Sequence, residues 1–288
     1  MSRAMQMKFT TASKGDSYDK MTHCNNCLIE PPKGRPFMRC AACKEASFCS
    51  KECQKEAWPT HKGFCQMRKN TVASMAHVPS SPNFPPFAIR KRLLTDFIEV
   101  HECSFQSSWY SAIHTAGGMD SFPYDSRGLR IYLKYNPACQ ENPAIAYTLL
   151  AHEWFDDAAD RAALMAKGFA GLEEQMKRVF AGRPGFRGWF RVYFRIEDHQ
   201  VQESYPQEHA LDPMGLTLER INAQRKHHPQ WFERVQKVVA DGLVKRALNE
   251  NDAVMRMGRM RLKKDKWVWE PLSDRELEAS GQPKDLLF

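Results

Sequence analysis

The chain has 288 residues, of which 42% are hydrophobic, and its formal net charge is +8 at pH 7. This length allows one large domain or two ordinary ones, and the composition is that of a globular protein. No run approaches the roughly 18 consecutive apolar residues that suggest a membrane-spanning helix, so none is predicted.

Residues 1–23 are polar and contain no apolar segment of the kind found in secretory signals. Asp16 and Asp19 also argue against a transit peptide. We expect these residues to form a disordered N-terminal tail. The expected location is intracellular, in the nucleus, the cytoplasm or both, where cysteines more often bind metal or stay free than form disulfides.

Seven of the nine cysteines fall between positions 24 and 65, and with one histidine they have the spacing of zinc ligands. They form two C-x2-C pairs, one C-x3-C pair and one H-x3-C pair. Four such ligands complete one tetrahedral zinc site, which leaves no position for a substrate. The sequence therefore predicts two structural zinc ions held by Cys24, Cys27, Cys40, Cys43, Cys49, Cys53, His61 and Cys65.

The order of these ligands is more specific than their number. Six cysteines, then histidine, then cysteine, with Phe48 before the third pair and Gln54, Trp58 and Lys62 after it, resemble the MYND zinc finger over residues 24–65. The resemblance implies two interleaved sites, one made by Cys24, Cys27, Cys49 and Cys53, the other by Cys40, Cys43, His61 and Cys65.

A MYND-type finger also implies a protein–protein interaction module with a shallow groove for short proline-containing peptides. Gln54 and Trp58 lie one helical turn apart and are the residues expected to contact the peptide. The partner would then be a protein, and a role in transcriptional regulation is the accompanying hypothesis. The alternative for Trp58 is that it only fills the small core of the finger.

Residues 66–86 are predicted to be a proline-rich linker. After Phe87 the apolar residues recur at helical spacing, which predicts one helix that includes His101 and Cys103 as packing or surface residues and ends at "AGG", 116–118. The alternating "GLRIYLKY", 128–135, predicts a half-buried strand, with "AIAYTLLAHEWF" as its hairpin partner.

Three further elements are predicted after this hairpin: a helix over about 157–180, a strand over 188–196, and a helix over "HPQWFERVQKVVADGLVKRAL" that begins at Pro229. One face of the strand carries Trp189, Arg191, Tyr193 and Arg195, and it could hold an anion or an aromatic ligand, although packing is the more usual role. Residues 87–288 are therefore predicted to form an α+β domain of mixed helices and antiparallel strands, with an unknown function.

The run "RMGRMRLKKDK", 256–266, contains six Lys and Arg residues. It could be a nuclear localisation signal or a nucleic-acid patch, which is one alternative function for the protein. Such runs are more often a solvated face, and Met255, Met257, Met260 and Leu262 indicate a packed side beneath it. Seven thiolates and two zinc ions lower the net charge of the chain to about +5 and cancel the charge of +3 that residues 24–65 carry, so the finger itself is not expected to bind phosphate.

The other alternative is a lysine methyltransferase of the SET type, because some MYND fingers lie inside SET domains. The segment "NPACQEN", 136–142, shares only Asn136, Cys139 and Asn142 with the "NHSCxPN" pattern of those enzymes. The segment "HEWFD", 152–156, begins like a metalloprotease motif but has Asp156 in place of the second histidine. We therefore expect no catalytic residues and no enzyme activity.

Overall fold

The computed structural model describes part of the chain, and every structural statement below concerns that part: residues 12–13, 24–27, 29, 37–43, 46–75, 85–124, 126–164, 189–197, 202–210, 229–247 and 255–281. The chain divides into two compact units. The first, which contains the finger, comprises Tyr18–Pro79 and Ala158–Arg183. The second comprises Met1–Ser17, Ser80–Asp157 and Pro184–Phe288.

The described elements are numbered here in chain order. The strands are β1 Ala12–Ser13, β2 Met38–Arg39, β3 Ser47–Phe48, β4 Arg127–Tyr135, β5 Tyr147–Asp156, β6 Trp189–Glu197, β7 Gln202–Ala210, β8 Leu243–Ala247, β9 Met255–Lys263 and β10 Lys266–Pro271. The helices are α1 Lys51–Met75, α2 Phe87–Val100, α3 Glu102–Thr115, α4 Ala158–Leu164, α5 Trp231–Ala240 and α6 Asp274–Ala279.

The finger consists of the short antiparallel pair β2–β3 and the long helix α1. The side chain of Ser50 begins the helix, because its Oγ accepts a hydrogen bond from the Cys53 N–H at 3.1 Å, as an N-cap residue does. The helix contains Pro59 and continues to Met75. Residues 66–75, which the sequence placed in a linker, are therefore the last part of α1.

The core of the finger is small and consists largely of its own metal-binding side chains. Among the described residues of the finger, Phe48 is the one large apolar side chain that is fully buried. The buried set is Cys24, Cys40, Ala46, Phe48, Ala57 and Cys65. A segment this short cannot bury enough apolar surface to fold on its own, so bound metal must supply much of its stability.

The larger unit contains a four-stranded sheet in the order β5-β4-β6-β7. Strands β4 and β5 form the predicted antiparallel hairpin, β4 and β6 run parallel, and β6 and β7 are antiparallel. Alternation along β4 and β6 gives the sheet one buried apolar face, as the sequence predicted. On the other face of β6, Arg191 and Tyr193 are also buried and bond to Asp157. The buried side chains on the apolar face are Leu129, Ile131, Leu133, Val192, Phe194 and Ile196.

Helices α2, α3 and α5 contribute to the core that covers this face. The single helix predicted after Phe87 is in fact two helices, interrupted at His101, whose backbone has φ −95° and ψ 4°. His101 is fully buried, and its Nε2 lies 2.9 Å from the carbonyl oxygen of Ala144. Hydrophobic spacing is the same on both sides of the interruption, so the sequence pattern does not reveal it.

The segment from Pro229 to Leu248, predicted as one helix, is a helix followed by a strand. Helix α5 ends at Ala240, and Gly242 adopts the left-handed conformation, with φ +64°, that terminates many helices. Strand β8 follows and joins a second sheet in the order β1-β10-β9-β8. Of the helix predicted over 157–180, α4 is described, and its remainder lies outside the described residues. The strand predicted over 188–196 is β6.

The basic run 256–266 forms most of β9, a two-residue turn and the start of β10. Because side chains alternate along a strand, Met257 and Met260 lie on opposite faces. The prediction that the methionines form a single packed side of this run is therefore wrong. Among the described residues, no helix combines the length and the apolar character that crossing a membrane requires.

Candidate metal centre and finger surface

The first group of ligand atoms brings together the first and third cysteine pairs. In this group the Sγ atoms of Cys24, Cys27, Cys49 and Cys53 all lie within 4.8 Å of one another. The Cys27 and Cys49 sulfurs are 3.6 Å apart, and the Cys49 and Cys53 sulfurs are 3.3 Å apart. Cys24 and Cys27 come from a turn, Cys49 lies between β3 and α1, and Cys53 lies in the first turn of α1, so this site links the front of the finger to its helix.

The second group combines the second cysteine pair with the last two ligands of the motif. It contains Cys40, Cys43, His61 and Cys65, again with every ligand atom within 4.8 Å of the others. The sulfurs of Cys40 and Cys65 are 3.8 Å apart, and the Cys43 sulfur is 3.6 Å from Nε2 of His61. These are the two interleaved sets that the resemblance implied.

The two groups fit zinc in both chemistry and size. Thiolate sulfur and imidazole nitrogen are the ligands of structural zinc sites, and Zn–S bonds of about 2.3 Å place tetrahedral sulfurs about 3.8 Å apart. The sulfur–sulfur distances of 3.3, 3.6 and 3.8 Å agree with that arrangement. The expected cofactors, two structural zinc ions, are therefore supported by one group of four cysteines and one group of three cysteines and a histidine.

Backbone geometry prepares one cysteine in each group for ionisation. Burial alone would raise the pKa of Cys24, but the backbone N–H groups of Cys27, Cys49 and Asn26 outweigh it and lower the pKa to about 6. In the other group burial likewise opposes ionisation of Cys40, whose pKa is lowered by the backbone N–H groups of Cys43 and Ala42. N–H groups that point at sulfur thus stabilise a thiolate before any metal binds.

The thiols of Cys27, Cys43, Cys49 and Cys65 are harder to ionise while no cation balances their charge, and their pKa values are raised. The Cys53 thiol, followed by burial, raises the pKa of Cys49 to about 12. Burial, followed by the Cys40 thiol, raises the pKa of Cys65 to about 12. A divalent cation supplies the positive charge that lets all the sulfurs of a group lose their protons together.

Hydrogen bonds that the sequence analysis did not identify hold the turn between the first two cysteines in place. Asn25 bonds to the backbone of Ser47 in both directions, with its N–H donating to the Ser47 carbonyl and its Oδ1 accepting from the Ser47 N–H, each at 2.8 Å. Asn26 donates from Nδ2 to Oε2 of Glu56 on α1 at 2.7 Å. Two asparagines between metal-binding cysteines were the available sequence signal, since asparagine favours turns.

Comparison with known protein families assigns this segment. The model of the MYND finger family matches residues 23–65. Residues 23–65 are a MYND-type zinc finger. Fingers of this family typically act as protein-interaction modules, and the match supports that general role for residues 23–65.

The curated relatives share the finger with this chain. Human histone-lysine N-methyltransferase SMYD3 is 37% identical over 67 residues, which are 23% of this chain and 13% of that protein. The SET domain and MYND-type zinc finger protein 6 of Schizosaccharomyces pombe is 45% identical over 51 residues, 18% of this chain and 10% of that protein. The chain therefore matches only about a tenth of the length of these relatives. No solved structure gives a significant match.

Trp58 lies on α1 beside the second metal group and is largely at the surface. Its indole packs at an angle of 60° against the His61 ring, with the ring centroids 5.9 Å apart. The side chain is nevertheless 43% exposed, so it does not fill the core of the finger. Phe48 takes that place, with its ring 5.7 Å from the His61 ring and no exposed surface.

Gln54 lies one turn before Trp58 on α1 and is half-buried. Within the described part of the chain, its side-chain amide makes no hydrogen bond. In the part of the finger that the structure describes, the apolar side chains of Ile29, at 52%, and Met38, at 40%, are also exposed. Neither residue is among those predicted from the sequence, although each lies two residues from a metal-binding cysteine.

The residues that resembled enzyme motifs have structural roles. Asn136 and Asn142 each cap a short 3₁₀ turn, accepting hydrogen bonds from the N–H groups of Ala138 and Ala144 at 3.1 and 3.0 Å. His152 lies on strand β5 rather than on a helix, with its ring 4.5 Å from the rings of both Trp231 and Phe232.

Proposed function

We propose that the finger binds short proline-containing segments of a partner protein through Trp58 and Gln54. The observation that supports this most is the 43% exposure of a tryptophan that sits on a zinc-binding histidine. Burying such an indole on peptide binding would remove apolar surface from water, which favours association. Proline-rich peptides dock on aromatic surfaces of this kind because their backbone is already extended.

The amide of Gln54 supplies the polar half of the proposed surface. An extended peptide presents backbone N–H and C=O groups that lose their water on binding, and an amide can both donate to and accept from them. Positions 54 and 58 share a face of α1 because residues four apart on a helix are neighbours. The helix is fixed below by Cys53 and His61, so the surface requires little ordering when the peptide binds.

The two metal sites are proposed to be scaffold, and the protein is proposed to act by binding rather than by catalysis. Four protein ligands in each group leave no coordination position for a substrate. The proposed partner is a protein involved in transcription, which the finger would bind in the nucleus or the cytoplasm. The similarity to methyltransferases supports only the assignment of the finger, because the matched segment covers the finger and little else of this chain.

The test is a binding measurement on the full, zinc-loaded chain. A panel of fluorescein-labelled peptides with one or two central prolines would be screened by fluorescence polarisation. We expect Trp58→Ala to weaken the affinity for the tightest-binding peptide by at least about tenfold, as loss of an aromatic anchor does. Gln54→Ala should have a smaller effect, and Lys55→Ala, an exposed neighbour on α1, should have none.

Equal affinity of the wild-type protein and Trp58→Ala would remove the proposed surface, provided that both carry two equivalents of zinc. Titration with S-adenosylmethionine in a calorimeter tests the absence of catalysis separately. Saturable binding of that methyl donor would favour the methyltransferase alternative, because a pure binding module has no site for it.

A further inference from the structure

One face of the β9–β10 hairpin carries closely spaced positive charge. Arg259, Arg261 and Lys263 alternate along β9 and therefore share a face. Lys266 is on the same face because it pairs directly with Lys263. All four side chains are exposed. We propose that these four residues, here called the basic face, bind the phosphate backbone of a nucleic-acid strand without reading its base sequence.

The regular spacing of the cations favours a polymer of phosphates as the ligand. Side chains on one face of a strand recur about every 6.6 Å, since each residue advances the chain by about 3.3 Å. A nucleic-acid strand also presents one negative charge per repeating unit. A flat row of cations can follow such a backbone, whereas an acidic peptide has irregularly placed carboxylates and would need a more varied surface.

Two carboxylates orient part of this row. Arg261 Nε lies 3.0 Å from Oε2 of Glu270, and its Nη2 lies 3.3 Å from Oε1 of Glu276. Lys263 also pairs with Glu270. Exposed ion pairs of this kind contribute little to folding stability. A phosphate can accept the same charge-assisted hydrogen bonds, so the pairs hold these side chains in position without preventing ligand binding.

Other cations of the hairpin have no such partner. Within the described part of the chain, Lys264 and Lys266 make no ion pair with a carboxylate, whereas Arg259 lies directly opposite Glu270 on the neighbouring strand. Lys264 and Asp265 form the two-residue turn, both with positive φ, +47° and +63°. Asparagine and glycine suit these positions best. A lysine is thus held in a backbone conformation that disfavours it, and it places a further cation at the tip of the hairpin.

The opposite face of the hairpin fixes it to the core. Trp269 donates a hydrogen bond from Nε1 to the carbonyl oxygen of Val244 at 3.0 Å, and Met260 is buried. Gly258 leaves room for the indole, because a Cβ at this position would lie 2.3 Å from Nε1 of Trp269. The basic face therefore sits on a rigid strand pair, which limits the entropy lost when a ligand binds.

A charged membrane surface is the less suitable ligand. Peripheral membrane binding combines cations with apolar side chains that enter the headgroup region. Leu262 is the exposed apolar residue of the hairpin, at 48%, and it lies on the face opposite the cations. Val268 shares the basic face but is half-buried.

The test uses the full, zinc-loaded chain and a fluorescein-labelled single-stranded RNA of mixed sequence. Anisotropy titrations from about 50 to about 200 mM salt should give a plot of log K against log salt with a slope of about −3, as for four to five phosphates. The variant Arg259→Gln with Lys266→Gln should reduce the slope by about 1.5 and weaken binding on the order of tenfold at low salt.

The matched control is Lys69→Gln with Lys134→Gln, which removes the same charge from exposed positions elsewhere. We expect this control to bind RNA as the wild type does. An equal loss of RNA affinity in both double variants would show that binding depends only on the net charge of the protein. That result would overturn the assignment of the binding site to the hairpin. Salt-independent binding, or tighter binding to phosphatidylserine vesicles or to polyglutamate than to the RNA, would also overturn it.

Discussion

The indole of Trp58 packs against the imidazole of His61, with the ring centroids 5.9 Å apart. The same imidazole belongs to the second metal group, where its Nε2 lies 3.6 Å from the Cys43 sulfur. The exposed surface proposed to bind peptides and the metal site therefore share a side chain. Whatever moves His61 should also move Trp58.

Zinc removal is the first prediction. A chelator strong enough to remove both ions should abolish peptide binding and reduce the helical circular dichroism signal, because structural zinc contributes about 10–16 kcal/mol in small zinc domains. Restoring zinc should restore both signals. The larger unit, with its own core, should keep its near-ultraviolet spectrum. Peptide binding that survives complete zinc removal would contradict this coupling.

Gly258→Ala is expected to destabilise the larger unit. The new Cβ would lie 2.3 Å from the Glu270 carbonyl oxygen and 2.3 Å from Nε1 of Trp269, so the strands must move apart. Overpacking of this kind costs about 1–3 kcal/mol, measurable as a lower urea midpoint. Arg256→Ala, an exposed neighbour on β9, is the control and should change the free energy of unfolding by less than about 0.5 kcal/mol.

Asp96 should make stability depend on pH. Burial is the main cause that raises its pKa to about 7, with nearby Glu99 adding to the shift and Arg92 opposing it. Its Oδ1 is buried without a hydrogen-bond partner. In the unfolded chain the pKa is about 3.9. The native state therefore binds the proton more tightly, and the stability that Asp96 contributes at low pH is lost as pH rises from about 4 to about 7.

The variant Asp96→Asn isolates this effect, because it cannot ionise. Relative to the wild type, it should gain about 2–4 kcal/mol between pH 4 and pH 8, on the basis of 1.36 kcal/mol per unit of pKa shift. Urea unfolding at both pH values measures the gain. His101 acts in the opposite direction, since burial lowers its pKa to about 4, but it contributes equally to both proteins. A difference that is independent of pH would refute the prediction.

A substitution in the turn of the β9–β10 hairpin should raise the stability of the protein and weaken its binding of RNA. Replacing Lys264→Asn, with Asp265 retained, supplies a residue that a two-residue turn with positive φ prefers. We expect a gain of about 1 kcal/mol in the free energy of unfolding, together with weaker RNA binding because one cation is lost. Thermal unfolding and the anisotropy titration measure the two effects on the same sample.

Some of these features could be read from the sequence, because they rest on short repeating spacings. The spacing of the ligand pairs between Cys24 and Cys65 predicted two zinc sites, and the resemblance to the MYND finger implied which pairs share a site. Alternation predicted β4 and its hairpin with β5. The interruption at His101 could not be predicted, since the apolar spacing of α2 and α3 continues across it. Gly242 marked the end of α5, but the apolar residues of β8 continue the helical pattern beyond it. The exposure of Trp58 and the burial of Phe48 depend on the three-dimensional packing of the finger, so they could not be predicted from spacing.

The interleaving of the two ligand groups means that the finger cannot be divided. A cut after Cys43 would leave Cys24, Cys27, Cys40 and Cys43 on one fragment and Cys49, Cys53, His61 and Cys65 on the other. Each fragment would then contain two of the four ligands of each site, and neither fragment could form a complete site. A nascent chain must therefore emerge as far as Cys53 before the first set is complete and as far as Cys65 before the second is.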